Sequence, residues 1–254
     1  MSTGDAPGGR EHLVTEAFVA LANSLVGPFD EVELLNGLTT DCTRLLDVAA
    51  AGLLLADRNG VLHVVAASSE RTRSLELFQL QRDEGPCLDC FRSGRPTNVD
   101  DLSLEVDRWP EFVPAAIEAG FASVHAIPLR LLDDVLGAVG LFGTSTGSLS
   151  GEDLDLAQAL AHVAAVAIGV GAGERKTSVA DQLHAVLRHR VLVEQAKGII
   201  AQQGGLEMDE AFTKLRQYAQ TQDQRLTEVA RALVSRQLSP QLLLRPTAGD
   251  RASG

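Results

Sequence analysis

Three separately spaced blocks in the last quarter of the chain constrain its fold more than any other feature. The first is the run Val193–Ile200, in which Gly198 stands where apolar residues recur at helical spacing. The other two are Ala211-Phe212 with Leu215-Arg216, and Leu226 with Val229-Ala230-Arg231. Because glycine in a helix interior costs about 1 kcal/mol relative to alanine, its presence indicates that something approaches this backbone closely. The blocks predict a small three-helix module suited to hold a folded nucleic acid.

The charge of the chain is unevenly divided. Its 254 residues, of which 45% are apolar, are enough for two domains with buried cores. The formal net charge of −12 argues against nucleic acid, but residues 1–175 carry 11 basic and 26 acidic side chains, whereas residues 176–237 carry 9 and 7. All three lysines lie in the second segment, at Lys176, Lys197 and Lys214. The sequence therefore predicts an acidic body with a mildly basic appendage.

Neither a targeting signal nor a membrane segment is visible in the sequence. Met1–Arg10 is small and polar without an apolar core, and the longest apolar run, Leu160–Val170, is too short to span a bilayer. Three cysteines do not make a disulfide framework in a protein of this size. We therefore expect a soluble, cytoplasmic protein that does not bind membranes.

The first two thirds of the chain alternate between helical and strand patterns. Amphipathic helices are predicted at Glu11–Val26 and Glu31–Leu46, and a long closing helix at Glu152–Gly171. Between them, two hairpins are predicted, one turning at Asn59-Gly60 and the other across Leu132–Asp134. Helical pieces broken at Gly85-Pro86, an edge strand at Pro96–Val99 and a helix at Pro110–Ala119 fill the middle. This order predicts one α+β domain with an antiparallel sheet flanked by helices.

The pattern becomes purely helical after Gly171-Ala172-Gly173, which we take as the domain boundary. Apolar residues from Leu183 to Ile200 fall near heptad spacing, which suits a helix that also pairs with a second copy of the chain. A third helix is predicted at Leu226–Leu238, with Asp223 as its cap. The predicted organisation is a disordered tail at 1–10, an α+β domain at 11–172, a helical stalk with the three-helix module at 173–238, and a second tail at 239–254.

The three C-terminal blocks closely resemble the ANTAR domain. The residues that carry this resemblance run from Arg190 to Leu238 and include the EQAKGII segment at 194–200, Ala211-Phe212 and Leu226–Ala230. The resemblance implies an RNA-binding transcription antitermination regulator, because ANTAR modules recognise paired hairpins in leader transcripts and prevent a terminator from forming. It covers about a fifth of the chain and is specific, since three spaced blocks match in order.

The first domain resembles a GAF sensor domain. The resemblance rests on Gly85–Leu88, Arg108-Trp109-Pro110 and the segment Ser123–Gly143, and these motifs are looser than those of the ANTAR-like part. No phosphoacceptor receiver domain is evident, so the expected input is something other than aspartyl phosphorylation. The residues do not indicate which ligand the domain binds, and we assign no cofactor.

Candidate RNA contacts cluster around Gly198. Arg190 and Lys197 lie seven residues apart on one helical face, where cations would neutralise phosphates, and glutamines would read base edges or sugar hydroxyls. The alternative is that these are ordinary solvated charges. Tyr218 would either stack on a looped-out base or close the small core. The predicted RNA-binding residues are Arg190, Gln195, Lys197, Gly198, Lys214, Arg216, Tyr218, Gln220 and Arg225.

The sensor-like domain offers a weaker set of candidates. Cys87 and Cys90 form the chain's C-x-x-C motif, for which a packed loop, a redox pair and, least of all, a zinc site are the alternatives; the acidic neighbours oppose thiolate formation. His63, His125 and Trp109 complete a candidate pocket between the sheet and the segment Leu77–Trp109. A small molecule or a partner bound in this pocket is the expected signal, and no metal site is predicted.

Catalysis is weakly supported throughout the sequence. Gly171–Thr177 fails the phosphate-loop pattern, because Arg175 stands where a glycine should precede the lysine. We therefore predict a non-enzymatic, signal-responsive and homodimeric RNA-binding regulator that promotes antitermination by binding paired hairpins. The dimer is expected to form through Glu152–Gly171 and Leu183–Ile200. The alternatives are a DNA-binding transcription factor and a redox enzyme that uses the two cysteines of the C-x-x-C motif.

Overall fold

The computed structural model describes residues 7–23, 30–174 and 178–245. The described residues fall into two compact units that divide between Ala185 and Val186. The N-terminal unit holds the sheet, and the C-terminal unit is helical. No helix in these three ranges is both long enough and apolar enough to cross a membrane.

The elements alternate as the sequence patterns predict. The helices are α1 Pro7–Asn23, α2 Glu31–Leu45, α3 Glu70–Arg82, α4 Pro86–Ser93, α5 Phe112–Glu118, α6 Gly151–Glu174, α7 Val179–Gly204, α8 Met208–Thr221 and α9 Leu226–Val234. The strands are β1 Ala50–Ala56, β2 Leu62–Ala67, β3 Thr97–Val99, β4 Ser123–Leu131 and β5 Asp134–Gly143. Within the described residues, the strands form one five-stranded antiparallel sheet in the order β2-β1-β5-β4-β3. The predicted fold class is confirmed.

Both predicted hairpins are present, and local chemistry explains each turn. The Asp57 carboxylate accepts hydrogen bonds from the backbone N–H groups of Asn59 and Val61, while Gly60 adopts a left-handed φ of 77°. This geometry connects β1 to β2. Leu132, which connects β4 to β5, also has a positive φ, of 54°, and its side chain is almost fully exposed.

Two helical layers cover the sheet. Helices α1, α2 and α6 pack on one another, with α2 against β1 and α6 against β4. Helices α3 and α4 contact the sheet from a separate layer that also includes α5. The second layer forms two buried clusters, one around Trp109, Phe112 and Phe142 and the other around Cys87 and Cys90.

Several element ends differ from the sequence prediction. The glycines at 171 and 173, taken as a boundary, lie within α6, which continues to Glu174 because flanking helix formers outweigh isolated glycines. Asp223 does not cap α9: its φ is 51°, and Arg225 occupies the N-cap position. Helix α9 ends at Val234 and not at Leu238 as predicted, because Arg236 has a positive φ of 61° and stops the helix.

The predicted tails lie largely outside the described residues, which exclude residues 1–6 and 246–254. Residues 7–10 begin α1 instead of extending the tail. At the other end, Pro240–Leu242 form one turn of 3-10 helix, and the side chain of Leu243 is buried. The part of the first predicted helix at residues 24–26 also falls outside the described ranges.

Candidate nucleic-acid interface

The C-terminal unit is built around a small apolar core. Helix α7 ends in a Schellman motif: Gly205 has a φ of 62°, and the Leu206 N–H donates to the Ala201 carbonyl at 3.1 Å. Helix α8 then begins at Met208, and the Glu210 carboxylate in its first turn accepts a hydrogen bond from the N–H of the N-cap residue Glu207. The buried core residues are Val193, Ala196, Ile200, Ala211, Leu215, Ala219, Leu226, Val229, Ala230 and Leu233.

Two of the predicted phosphate-binding cations are buried. Arg190 is 6% exposed and Lys197 is 3% exposed. Glu194 lies between them on the same face of α7, with its carboxylate 2.5 Å from Arg190 Nη2 and 3.4 Å from Lys197 Nζ. Lys197 Nζ also lies 5.7 Å from the centre of the Phe212 ring on α8. Lys197 therefore joins α7 to α8, and both cations lie inside the module, which the sequence prediction of a phosphate-binding face did not anticipate.

Gly198 lies on the outward side of α7. Residues Val191, Gln195, Gly198 and Gln202 follow at intervals of four, three and four, which places them on one stripe of the helix. Val191, Gln195 and Gln202 are exposed, and Gly198 is half-buried. A Cβ added at Gly198 would meet no other atom within 4 Å. The protein itself does not need a glycine here for packing.

Helix α8 separates its predicted RNA contacts into two stripes. Lys214 and Tyr218 are four residues apart, and so are Arg216 and Gln220. The two stripes flank the buried residues of α8, so the four side chains do not converge on one face. Phe212, which contacts Lys197, lies four residues before Arg216 and continues its stripe. Arg216 and Gln220 are thus on the side of the module that leads to Gly198.

Arg225 is exposed at the start of α9. Its carbonyl accepts the first helical hydrogen bonds, from the N–H groups of Glu228 and Val229. The side chain makes no capping hydrogen bond within α9. The ANTAR-like region therefore combines a buried ion network, an open glycine and exposed polar side chains on α7, α8 and α9.

The predicted sensor residues do not line one pocket. Trp109 packs against Phe112 in one buried cluster, whereas Cys87 and Cys90 belong to the other, beneath Ala126 and Ala138. Because strand residues alternate between faces, His125 and His63 point away from the clusters that hold Val124, Ala126 and Val64. His63 is partly exposed, with Nε2 3.3 Å from the Asp57 carboxylate.

The space between the sheet and helices α3 and α4 contains a buried acid. Glu76 on α3 is fully buried and accepts a short hydrogen bond from the Gln79 amide. The Cys87 thiol lies 3.6 Å from its other oxygen, and the Cys87 N–H donates to Gln79 Oε1 at 3.1 Å. Burial raises the pKa of Glu76 to about 8, although its hydrogen bonds to Cys87 and Gln79 oppose that rise.

Two strand glycines make room for this carboxyl group. A Cβ at Gly140 would lie 2.7 Å from both Cys87 Sγ and Glu76 Oε1, and a Cβ at Gly52 would collide with the same carboxyl group. Sequence reasoning missed Glu76 because glutamate is seldom fully buried. The available signal was the pair of glycines inside apolar strands, since such glycines often mark a close approach.

The environment of the C-x-x-C motif disfavours thiolate chemistry. Burial raises the pKa of Cys90 to about 12 and that of Cys87 well above its usual value, with the neighbouring Glu76 adding to the second shift. Both side chains are buried. Among residues 7–23, 30–174 and 178–245, no three His, Cys, Asp or Glu side chains are grouped to hold a metal ion.

Comparison with known families identifies both units. Residues 30–169, more than half of the chain, match the GAF domain family, and residues 181–234 match the ANTAR domain family. The chain is a GAF–ANTAR protein. GAF domains are sensor domains and ANTAR domains are RNA-binding antitermination domains, so this GAF–ANTAR protein combines the two parts of a regulator.

Solved GAF domains share the fold of the GAF unit. The GAF domain of an Acinetobacter phosphoenolpyruvate-protein phosphotransferase is 12% identical, with a TM-score of 0.51, and the match covers 63% of this chain and 94% of that one. The corresponding domain from Coxiella burnetii is 16% identical, with a TM-score of 0.49, covering 64% and 96%. No curated protein matches the chain significantly.

Proposed function

We propose that this GAF–ANTAR protein is a non-enzymatic, signal-responsive regulator that binds paired hairpins in leader transcripts. Hairpins held in this way would exclude the terminator and allow transcription to continue. The observation that carries the proposal is the open backbone at Gly198, because it lies inside the matched ANTAR segment and faces away from the module's own core. An approaching RNA gives a physical reason for a glycine that packing does not require.

The proposed RNA face runs from Gly198 past the buried Lys197 to Arg216 and Gln220. Lys197 adjoins Gly198 in sequence and contacts Phe212, which precedes Arg216 by one helical turn. Gln195 lies beside Gly198 on the exposed stripe. Side chains of this kind contact phosphates and the edges of unpaired bases, which is how proteins recognise RNA loops. Lys214 and Tyr218 lie on the other stripe of α8, away from this face, and would contact the RNA only at a second, separate place.

We further propose that the protein acts as a homodimer. Of the two segments predicted to pair, Glu152–Gly171 keeps an exposed apolar side chain, Val166, whereas the heptad residues of Leu183–Ile200, such as Val193 and Ile200, are buried within the chain. Two ANTAR domains in one dimer would bind two hairpins at high effective concentration.

A gel-shift comparison tests the proposal: a two-hairpin leader RNA should bind more tightly than either hairpin alone or duplex DNA of equal length. Equal affinity for DNA and RNA would contradict it.

Substituting Gly198 should separate stability from RNA binding. We expect Gly198→Ala to stabilise the ANTAR domain by about 1 kcal/mol, because its Cβ meets open space and alanine favours the helix. Gly198→Leu should in addition weaken binding of the two-hairpin RNA, since the larger side chain would hold the RNA away. Gel shift and thermal unfolding measure the two effects.

Gly37 supplies the matched control for this experiment. It is a half-buried glycine inside α2, and its Cβ would likewise meet no atom within 4 Å. Gly37→Ala and Gly37→Leu should affect stability as the Gly198 variants do and leave RNA affinity unchanged. If Gly198→Leu also binds RNA normally, the RNA does not approach this part of α7.

Arg216→Ala should weaken RNA binding more than Lys214→Ala. The two residues lie on different stripes of α8, and only the Arg216 stripe continues toward Lys197 and Gly198. Loss of one phosphate contact should also lower the slope of log affinity against log salt by roughly 0.7–0.9. Salt titrations of both variants measure this slope. A larger loss in Lys214→Ala would place the RNA on the opposite stripe.

A further inference from the structure

A cavity of about 460 Å³ opens at one end of the sheet in the GAF unit. Its walls are the residues before β1, the first residues of β4, the loop between β5 and α6, and the first turn of α6. The lining includes Asp47, Ser123, His125, the segment 143–150 and Asp153. The cavity is separate from the buried core around Glu76, because His125 points to the opposite face of the sheet.

His125 is the unexplained group in this cavity. Its side chain lines the cavity and is only 2% exposed, and among the described residues its Nδ1 atom has no hydrogen-bond partner. Burial lowers the pKa of His125, although Asp100 and the Gly147 backbone oppose that shift. In the neutral ring, one nitrogen is an acceptor. A buried acceptor without a donor is unfavourable, so a ligand that supplies an N–H group would complete the site.

The other polar groups around the cavity mostly hold its walls in place. The Ser123 hydroxyl donates to the Ser145 carbonyl at 2.9 Å, and the Ser148 hydroxyl donates to Asp100 at 2.7 Å. Asp153 forms an ion pair with Arg10. These contacts fix the β5–α6 loop before any ligand arrives, and a preformed site loses less entropy when it binds.

The charge of the cavity selects the chemistry of its occupant. Asp47 is exposed at the rim and forms no ion pair with any other residue in the described ranges. Asp100 and Asp153 add two carboxylates nearby, against the single guanidinium of Arg10. An anion would be repelled here, whereas a cation would be attracted.

We propose that this cavity binds a small organic amine, which donates an N–H group to His125 Nδ1 and places its positive charge beside Asp47. A diamine fits both contacts, because one nitrogen reaches the buried ring while the other stays at the acidic rim. The site adjoins the first turn of α6, so a bound amine would contact the helix that follows the last strand of the sheet. Amine binding does not depend on the proposed RNA function and is measured without RNA.

Calorimetric titration of the full chain with putrescine tests the proposal. We expect binding with one amine per chain, and no binding of inorganic phosphate or glycerol. Asp47→Asn should weaken putrescine binding roughly tenfold, the effect of removing one charge-assisted contact. Asp133→Asn is the matched control, since Asp133 is an exposed aspartate in the turn between β4 and β5, at the other end of that hairpin, and its loss should leave the affinity unchanged.

His125→Phe tests the buried contact, with circular dichroism as the check on folding. A folded His125→Phe protein should lose putrescine binding, and the ¹⁵N resonances of the wild-type His125 ring should shift when putrescine is added. The Asp47→Asn result and the ring resonances decide the matter even if His125→Phe does not fold. Equal affinities in Asp47→Asn and Asp133→Asn, tighter binding of phosphate than of putrescine, or an unmoved His125 signal would overturn the proposal.

Discussion

The GAF domain is expected to lose stability as the pH rises from 4.5 to about 8, and Glu76→Gln is expected to remove that loss. The cause is the buried carboxyl group of Glu76, whose pKa is raised from 4.5 to about 8 by burial. Over this interval the folded protein keeps a proton that the unfolded chain releases. The free energy of unfolding therefore falls as the pH rises. The stability that the protonated Glu76 side chain contributes is complete only below about pH 4.5.

The expected size of the effect follows from proton linkage. One proton difference changes the free energy of unfolding by about 1.4 kcal/mol per pH unit, which amounts to an effect on the order of 4 kcal/mol across the interval. Cys87 and Gln79 face the carboxyl group, and the raised pKa of the Cys87 thiol keeps it protonated throughout. Glutamine at position 76 retains an oxygen for Gln79 and supplies an amide donor toward Cys87, but it does not titrate.

Trp109 makes this measurement specific to the GAF domain. It is the chain's single tryptophan and is buried in the GAF core, so its fluorescence reports unfolding of that unit in urea. We expect the wild-type and Glu76→Gln curves of stability against pH to diverge above pH 4.5. Glu118→Gln, at an exposed glutamate of α5, should follow the wild type. Parallel curves for wild type and Glu76→Gln would show that Glu76 is ionised in the folded protein.

Glu194→Gln is expected to destabilise the ANTAR domain by about 3 kcal/mol. The Glu194 carboxylate serves Arg190 and Lys197 together, and both cations are more than nine-tenths buried. Removing one member of a buried ionic group leaves the charges of its partners buried without an opposite charge. The resulting loss of stability is larger than the stability that the complete group provides. The same reasoning predicts that Lys197→Ala lowers stability as well as RNA affinity, so Lys197 alone is a poor test of RNA contact.

Hydrogen exchange of the amides in α8 and α9 measures this effect without interference from the GAF domain. Glu194→Gln should speed exchange of the core amides by roughly two orders of magnitude, the equivalent of 3 kcal/mol. Glu228→Gln is the control, because Glu228 is exposed on α9. If the two variants exchange alike, the carboxylate of Glu194 does not hold the module together.

The fold was accessible from the sequence because its signals are local. Asn59-Gly60 specifies a turn whichever domain contains it, and the heptad-like apolar spacing of α7 requires no knowledge of its neighbours. Helix ends were less accessible. Asp223 resembles a cap in sequence, yet the chain places it in a left-handed turn two residues before the N-cap of α9. A cap depends on backbone angles that composition does not determine.

The candidate sites were harder to predict because burial is decided by distant elements. Arg190 and Lys197 share a helical face, as their spacing predicts, but the spacing does not reveal that the face is closed and that Glu194 lies within it. The sequence prediction groups His125 with Cys87 and Trp109 because all three lie in the sensor-like half. The strand register, which separates them to opposite faces, becomes known only when β4 is paired with its neighbours.

The two glycines beneath Glu76 limit the order in which this interior could have evolved. A side chain at either Gly52 or Gly140 would occupy the volume that the carboxyl group now fills, so both positions had to be glycine before an acid could enter at 76. The reverse change carries no such restriction. Homologues that retain the acid should keep both glycines, whereas lineages that have lost it are free to accept a side chain at 52 but still meet the Cys87 sulfur at 140.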